Sequence, residues 1–281
     1  MNSKQIKLGI ASTVDQCSSV IRSLNEADGR LPSRLSIINL GITSNDEVPS
    51  TLTEICSNAG VDIIVHFEEL NLVSSISWQR AEALIINASR LKPLWAEEDI
   101  GYWLHNSTCL QGHLLPPILD STTLDTVINN IASLQNLSKI KFFPENPPFS
   151  IVIETIDLLQ FMARVAQDSQ TGLVFDIGHY IGYCHLTERD PFEYIQRNQD
   201  FIGFIREVHI AGYTFTQTMS GIRWFDDHSQ PLVEAAKRLL CLIVQASPNI
   251  EVVTLEQESL DDLQVVSNLW DLDDILLSCI T

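Results

Sequence analysis

Asp176 and His179 stand three residues apart where the apolar run Leu173, Val174, Phe175 gives out. A carboxylate and an imidazole at that spacing, at the C-terminal end of a strand buried on both faces, make half of a site for a hard or borderline divalent metal. Ile177, one polar step on, reads as the last residue of that strand, and glycine and an aromatic follow. The same arrangement recurs along the chain. The apolar run through Val65 ends at His66, with Glu68 and Glu69 just beyond, and AEED at 96–99 supplies Glu97, Glu98 and Asp99. FFPEN ends at Glu145 and Asn146, and EVHIAG carries His209. The loop after it holds Asp226 and His228, and VVTLEQ ends on Glu256.

Alone, each of these has an ordinary explanation. A strand-end histidine is usually a satisfied core residue, and an aspartate before a turn is usually a cap. Four of the seven histidines together with carboxylates at five strand ends are harder to explain that way. Buried unpaired, such groups would cost several kcal/mol each, and metal ions are the simplest partner for so many. No cysteine pair has the spacing of a structural zinc site. The donor set is rich in nitrogen and oxygen and too large for one ion. It suits iron, manganese or zinc in a cluster of two or three ions, and the residue types do not choose among them.

The elements that would position these residues alternate. Strand candidates fall at 7–12, 35–41, 61–67, 91–99, 140–146, the Leu173–Ile177 run, 204–212 and 251–258. Helical stretches run through Val20, Ile21 and Leu24, over 47–59, from Trp78 to Leu91, near 122–137 and over 260–278. Eight short apolar runs interleaved with helices predict an α/β fold, a single (β/α)8 TIM-type barrel spanning 1–281. In such barrels chemistry sits at the C-terminal strand ends, where the polar residues above fall. Strand two ends without a functional side chain, and strand four is interrupted by charge. The long loop at 213–231 is expected to fold over the barrel mouth.

Composition narrows the function. Hydrophobic residues make up 45% of 281, enough for a large core. No run reaches the ~18 apolar residues of a membrane helix, and the N-terminus lacks the pattern of a signal peptide. With 17 basic and 36 acidic residues the net charge is −19, which argues against nucleic acid and anionic membranes and favours metal ions or cationic partners. The six scattered cysteines suit a reducing cytoplasm, each read as a small buried apolar residue.

The chain also resembles a known family, the multinuclear non-heme iron-dependent oxidative enzymes that modify ribosomally made peptides, relatives of the methanobactin synthase iron subunit. The resemblance runs from about 60 to 258: the His66 strand end, HLLPP at 113–117, PENP at 144–147, FDIGH at 175–179, EVHIAG at 207–212, DDHSQP at 226–231 and LEQ at 255–257. It implies an α/β barrel holding two or three iron ions. His66, Glu145, Asp176, His209, Asp226, His228 and Glu256 match iron-ligand positions. Glu145, Asp176 and His209 are assigned a catalytic role besides. The chain departs from the family twice: Asp99 stands where the strand-four motif usually has histidine, and His179 where asparagine is frequent. Both are kept as candidate ligands. The implied chemistry is oxidation of a cysteine-containing precursor peptide with O2, an iron pair binding the cysteine thiolate and dioxygen, and relatives commonly work with a separate leader-binding protein.

Two other readings fit a metal-lined barrel. One is a divalent-metal isomerase or phosphodiesterase. An isomerase normally shows a lysine near the metals, whereas Lys139 and Lys141 lie at the wrong end of their strand, and a phosphodiesterase normally adds a basic groove. The other is a non-catalytic barrel that keeps degenerate ligands.

Overall fold

The computed structural model describes residues 6–26, 29–105, 108–109, 114–218, 221–257 and 263–280. The first half runs β1 (Lys7–Thr13), α1 (Val14–Asn25), β2 (Leu35–Ile42), α2 (Leu52–Asn58), β3 (Asp62–Phe67), α3 (Trp78–Leu91), β4 (Ala96–Asp99), the short strands β5 (Leu104–His105) and β6 (Thr108–Cys109), α4 (Ser121–Leu137) and β7 (Phe142–Glu145). The second half runs α5 (Leu158–Ser169), β8 (Leu173–Asp176), α6 (Ile177–Leu186), α7 (Pro191–Arg197), α8 (Gln199–Ile202), β9 (Ile205–Ile210), β10 (Tyr213–Thr218), β11 (Gly221–Asp226), α9 (Glu234–Ala246), β12 (Val252–Leu255) and α10 (Leu263–Ile280). His113, the first residue of the HLLPP stretch, and Glu258 lie outside the described residues.

Eight strands close into a parallel barrel in the order β1-β12-β9-β8-β7-β4-β3-β2. The eight strands of the sequence reading are these eight. Their outward side chains and the inner faces of the helices form one continuous core, including Ile10, Ile38, Phe67, Phe142, Phe175 and Leu255.

Inside the barrel, a strand's period of two separates an apolar floor from a polar layer. Ile37, Ile64, Trp95, Phe143, Val174 and Val252 pack together as the floor. Two residues further along the same strands come Asn39, His66, Glu97, Glu145, Asp176 and Thr254. One more step of two gives Asp99 and Glu256. The floor excludes water from below, so every polar group above it must find a partner inside the barrel or in the basin at its mouth.

Three local readings are corrected. Strand six ends at Asp176, not Ile177: Asp176 caps α6 by accepting the His179 backbone N–H at 2.5 Å, which turns the chain into a helix one residue early. The 213–231 segment is largely an antiparallel hairpin, with Tyr213 opposite Asp226 and a positive φ of 118° at Gly221 in its turn. Cys17, Cys56 and Cys184 are buried free thiols as expected, but Cys241 and Cys279 are joined, their Cα atoms 5.7 Å apart on α9 and α10. No helix among the described residues is long and apolar enough to cross a membrane.

Candidate metal centre

The polar layer opens into a basin of about 240 Å³ at the C-terminal mouth, and His66, Asp99, Glu145, His179, Asp226, His228 and Glu256 all line it. They arrive on six different supports. His66 is the penultimate residue of β3, and β4 and β7 end in Asp99 and Glu145; Glu256 follows β12; His179 sits in the first turn of α6; Asp226 and His228 come from the end of the hairpin. His209 on β9 and Asp176 on β8 are buried in the wall.

Glu145 is the hub. Its Oε2 lies 3.2 Å from His66 Nε2 and its Oε1 3.2 Å from His209 Nδ1. His209 Nδ1 is also 3.2 Å from Glu256 Oε1, which places an imidazole nitrogen between two carboxylates. Asp99 stands 3.8 Å from His66 and from His179. Asp226 Oδ2 is 3.2 Å from both His179 Nε2 and His228 Nε2. Four sets of three donor atoms are close enough to share an ion: His66–Glu97–Glu145, Glu97–Glu207–His209, Asp99–Glu145–His179 and Glu145–His209–Glu256.

Asp176 stands apart from these sets. Its Oδ1 is committed to capping α6 and lies 3.6 Å from His179 Nδ1. His179 in turn donates Nδ1–H to the Asn146 carbonyl at 2.9 Å. The nitrogen it keeps for a ligand is therefore Nε2, which faces Asp226 rather than Asp99 and Glu145. Of the strand-four acids, Glu98 points away from the basin and accepts the backbone N–H groups of Glu69 and Leu70.

The charges interlock. Burial disfavours protonation of His66 and His209, but Glu145 and the other carboxylates outweigh it and hold both well above the ordinary imidazole range. His179 is raised likewise, by Asp176 and Asp226 against its burial. Burial lifts Glu145 and Asp226, yet His209 and His66 bring the first down to about 2, and His179 and His228 the second. Desolvation lifts Asp99 to about 7, with Glu145 adding to it. Without a metal, protons supply the positive charge the carboxylates need.

Two carboxylate oxygens of the basin lining remain unsatisfied. Asp99 Oδ1 and Glu256 Oε2 are buried with no hydrogen-bond partner among the described residues. Orphaned carboxylate oxygens beside imidazole nitrogens fit divalent or trivalent cations. Because such cations must displace protons from His66, His179, His209 and Asp99, affinity is expected to rise with pH through neutrality, about tenfold per pH unit for each proton displaced. Calorimetric titration with Zn(II) in buffers of differing ionisation enthalpy reads that release; a binding heat independent of the buffer would oppose it.

The hairpin seals one side. A Cβ built at Gly182 in α6 would meet the Trp224 ring at 2.7 Å, and Trp224 sits edge-on to His179 at 6.4 Å between ring centroids. Gly182→Ala, though it favours the helix by about 1 kcal/mol, is expected to push Trp224 and its neighbour Asp226 outward. The expected readouts are a shifted indole emission and a loss of bound metal, and unchanged values of both would contradict the contact.

The reading from sequence missed Asn39 and Glu207. Asn39 Nδ2 donates to Glu97 Oε1 at 2.5 Å, so strand two sends a polar side chain into the layer from its interior rather than from its end. Glu207 lies two residues before His209, on the same inward face.

The sequence model of a family described as "RiPP precursor modification enzyme MbnB/TglH/ChrH" matches residues 40–271. The chain belongs to this family. Its match spans β3 to β12 and every candidate ligand above. Among curated relatives, a UPF0276 protein of Vibrio parahaemolyticus is 24% identical over 165 residues, 57% of this chain and 54% of that protein. A UPF0276 protein of Vibrio vulnificus is 24% identical over 144 residues, 50% and 48% of the two chains. The chain thus spans about half the length of the curated relatives it matches. Among solved structures, a xylose isomerase-like TIM barrel protein from Mycobacterium smegmatis in complex with magnesium superposes with a TM-score of 0.62 at 13% identity, over 99% of this chain and 98% of that one. A family 2 AP endonuclease from Brucella melitensis superposes with a TM-score of 0.56 at 9% identity, over 95% and 96%. At such identities these two likenesses show the shared barrel fold.

Proposed function

We propose that this protein is a multinuclear non-heme iron oxidase that modifies a cysteine-containing ribosomal precursor peptide with O2. One observation carries the reading. In a chain of a peptide-modifying family, nitrogen and oxygen donors from β3, β4, β7, the end of β12, α6 and the hairpin converge on one basin, whose lining holds two buried carboxylate oxygens without a partner among the described residues. Two or three iron ions held there would supply oxidation by O2.

The chain's own groups divide the remaining work. Glu145, with one oxygen toward His66 and the other toward His209, would hold metal through its carboxylate together with either imidazole. Asp99, Asp226 and Glu256 bring anionic oxygen from three sides, which offsets the high positive charge of iron in a water-poor wall. His179 and His228 share Asp226 and hold the hairpin end against the basin. Asp176 acts in this account by fixing the start of α6 and so the His179 ring. The side of the basin at Ser12, Thr13 and Gly41, where the Glu68 carboxylate stands against Gly41, carries none of the ligands proposed above and is left for the peptide. The net charge of −19 favours a basic precursor segment or a basic leader-binding partner.

Among the described residues lining the basin there is no lysine, so the isomerase alternative lacks its usual base. The test is direct. Iron-loaded protein, a candidate precursor peptide and O2 are combined and the peptide is weighed by mass spectrometry. A mass change that requires iron, O2 and the peptide's cysteine supports the reading. Turnover by the magnesium or manganese form without O2 would replace it.

A further inference from the structure

Beneath the basin lies a second polar group that the proposed ligands do not include. Glu97, Glu207 and Asn39 surround the lower edge of the His209 ring, and His209, Glu97 and Glu207 are all 0% exposed. His209 Nε2 lies 3.2 Å from Glu97 Oε1, 3.4 Å from Glu207 Oε1 and 3.1 Å from Asn39 Nδ2. Both carboxylates are themselves held from below. Trp95 Nε1–H, rising from the apolar floor, donates to Glu207 Oε2 at 2.8 Å and to Glu97 Oε2 at 3.2 Å. The Thr254 hydroxyl donates to Glu207 Oε1, and Asn39 donates to Glu97.

Glu97 and Glu207 with His209 form a donor set close enough to share an ion, but the two carboxylates are already supplied. Trp95, Asn39 and Thr254 give the two carboxylates fixed hydrogen bonds, and none of the unpartnered oxygens lies among them. The unpartnered oxygens of the basin lining belong to Asp99 and Glu256, and Glu256 meets the other side of His209, at Nδ1. One ring nitrogen thus faces two carboxylates, with the Asn39 amide nitrogen packed beside it, and the other faces Glu145 and Glu256, which line the basin.

We propose that Glu97 and Glu207 are positioning residues that accept the His209 Nε2–H, fix the ring's orientation and leave Nδ1 as the metal-binding nitrogen. Carboxylates behind a ligating imidazole set its tautomer and raise its basicity. Trp95 and Thr254 transmit the rigidity of the floor and of β12 to that ring. The inference rests on the metal-centre reading of the basin, and its test separates the two.

The probes are Co(II) and Zn(II), added to full-length wild type, Glu207→Gln and Thr254→Val. Glu207→Gln keeps the shape and an oxygen for Trp95 but removes the charge behind His209. Thr254→Val is the gentler variant should the first fail to fold. Saturating Co(II) is expected to give the same number of ions per chain in all three. Affinity in Glu207→Gln should fall about 10- to 100-fold, with a shifted Co(II) absorption band and a smaller change of the same sign in Thr254→Val. In the Zn(II) form, 15N spectra of labelled histidine should show His209 bound through Nδ1, with a slowly exchanging Nε2 proton that speeds up in Glu207→Gln. A loss of one whole ion from Glu207→Gln would make Glu207 a ligand and overturn the proposal. So would unchanged affinity, band and exchange. A wild type that binds neither ion would end the metal-centre reading itself, and the proposal with it.

Discussion

Glu145→Gln is expected to remove more bound metal than any other single substitution in the chain. Glu145 belongs to three of the four three-donor sets, and its two oxygens face two different imidazoles at 3.2 Å. A glutamine keeps the shape and one acceptor but presents a neutral amide toward one of the two sides. Metal held with either imidazole therefore loses an anionic ligand. The expected stoichiometry falls from about two or more ions per chain to about one or none, and peptide turnover falls with it. The metal-free fold is expected to survive, since His66 and His209 can shed the protons that Glu145 now stabilises. Inductively coupled plasma analysis, with circular dichroism as the folding control, reads the outcome. Full metal content in Glu145→Gln would remove Glu145 from the ligands.

Asp99 has the second largest expected effect because it lines the basin and carries an orphaned buried oxygen. Asp99→Ala deletes that oxygen and is expected to lose about one ion's worth of metal. Asp99→His restores a neutral nitrogen ligand and should keep the metal. An anionic oxygen ligand favours the ferric state, so the histidine variant should also hold a larger ferrous share. Its pH behaviour follows from the carboxyl's elevation to about 7. In the wild type a proton competes with metal at Asp99 below neutrality, and that competition disappears in Asp99→Ala, flattening the pH dependence of binding. Equal metal content in wild type and Asp99→Ala, measured at pH 7.5, would show Asp99 to be a bystander.

Much of this was legible in the chain because a parallel barrel strand writes its inside and outside alternately. Ile64 then His66, Phe143 then Glu145, and Val174 then Asp176 each step from the floor to the polar layer in two residues. The same step from Ile37 leads to Asn39, and from Glu207 to His209. Asn39 escaped notice because an amide inside an apolar run resembles a strand's polar edge. Glu207 escaped because it lies in the interior of β9, away from the strand end that carries His209. What alternation does not reveal is how one residue divides its atoms. Asp176 reads as a ligand by type and place, yet a helix that begins immediately after it claims one oxygen as a cap. Glu97, Glu98 and Asp99 are adjacent acids that the strand sends inward, outward and inward, to three different partners. The Cys241–Cys279 pairing depends on how α9 and α10 dock, across a separation of 38 residues that carries no local signal. The hairpin was closer to visible: YTFTQT and GIRWFD alternate around Gly221 as strands do.

The metal centre itself is tested most directly by producing the full chain anaerobically in iron-supplemented medium and measuring its metals and their oxidation states together. Two or more iron ions per chain, with a mixed-valence signal in Mössbauer and electron paramagnetic resonance spectra that is lost in Glu145→Gln, is the predicted result. Less than one ion of any metal per folded chain, or stoichiometric zinc or manganese with no iron, would contradict it.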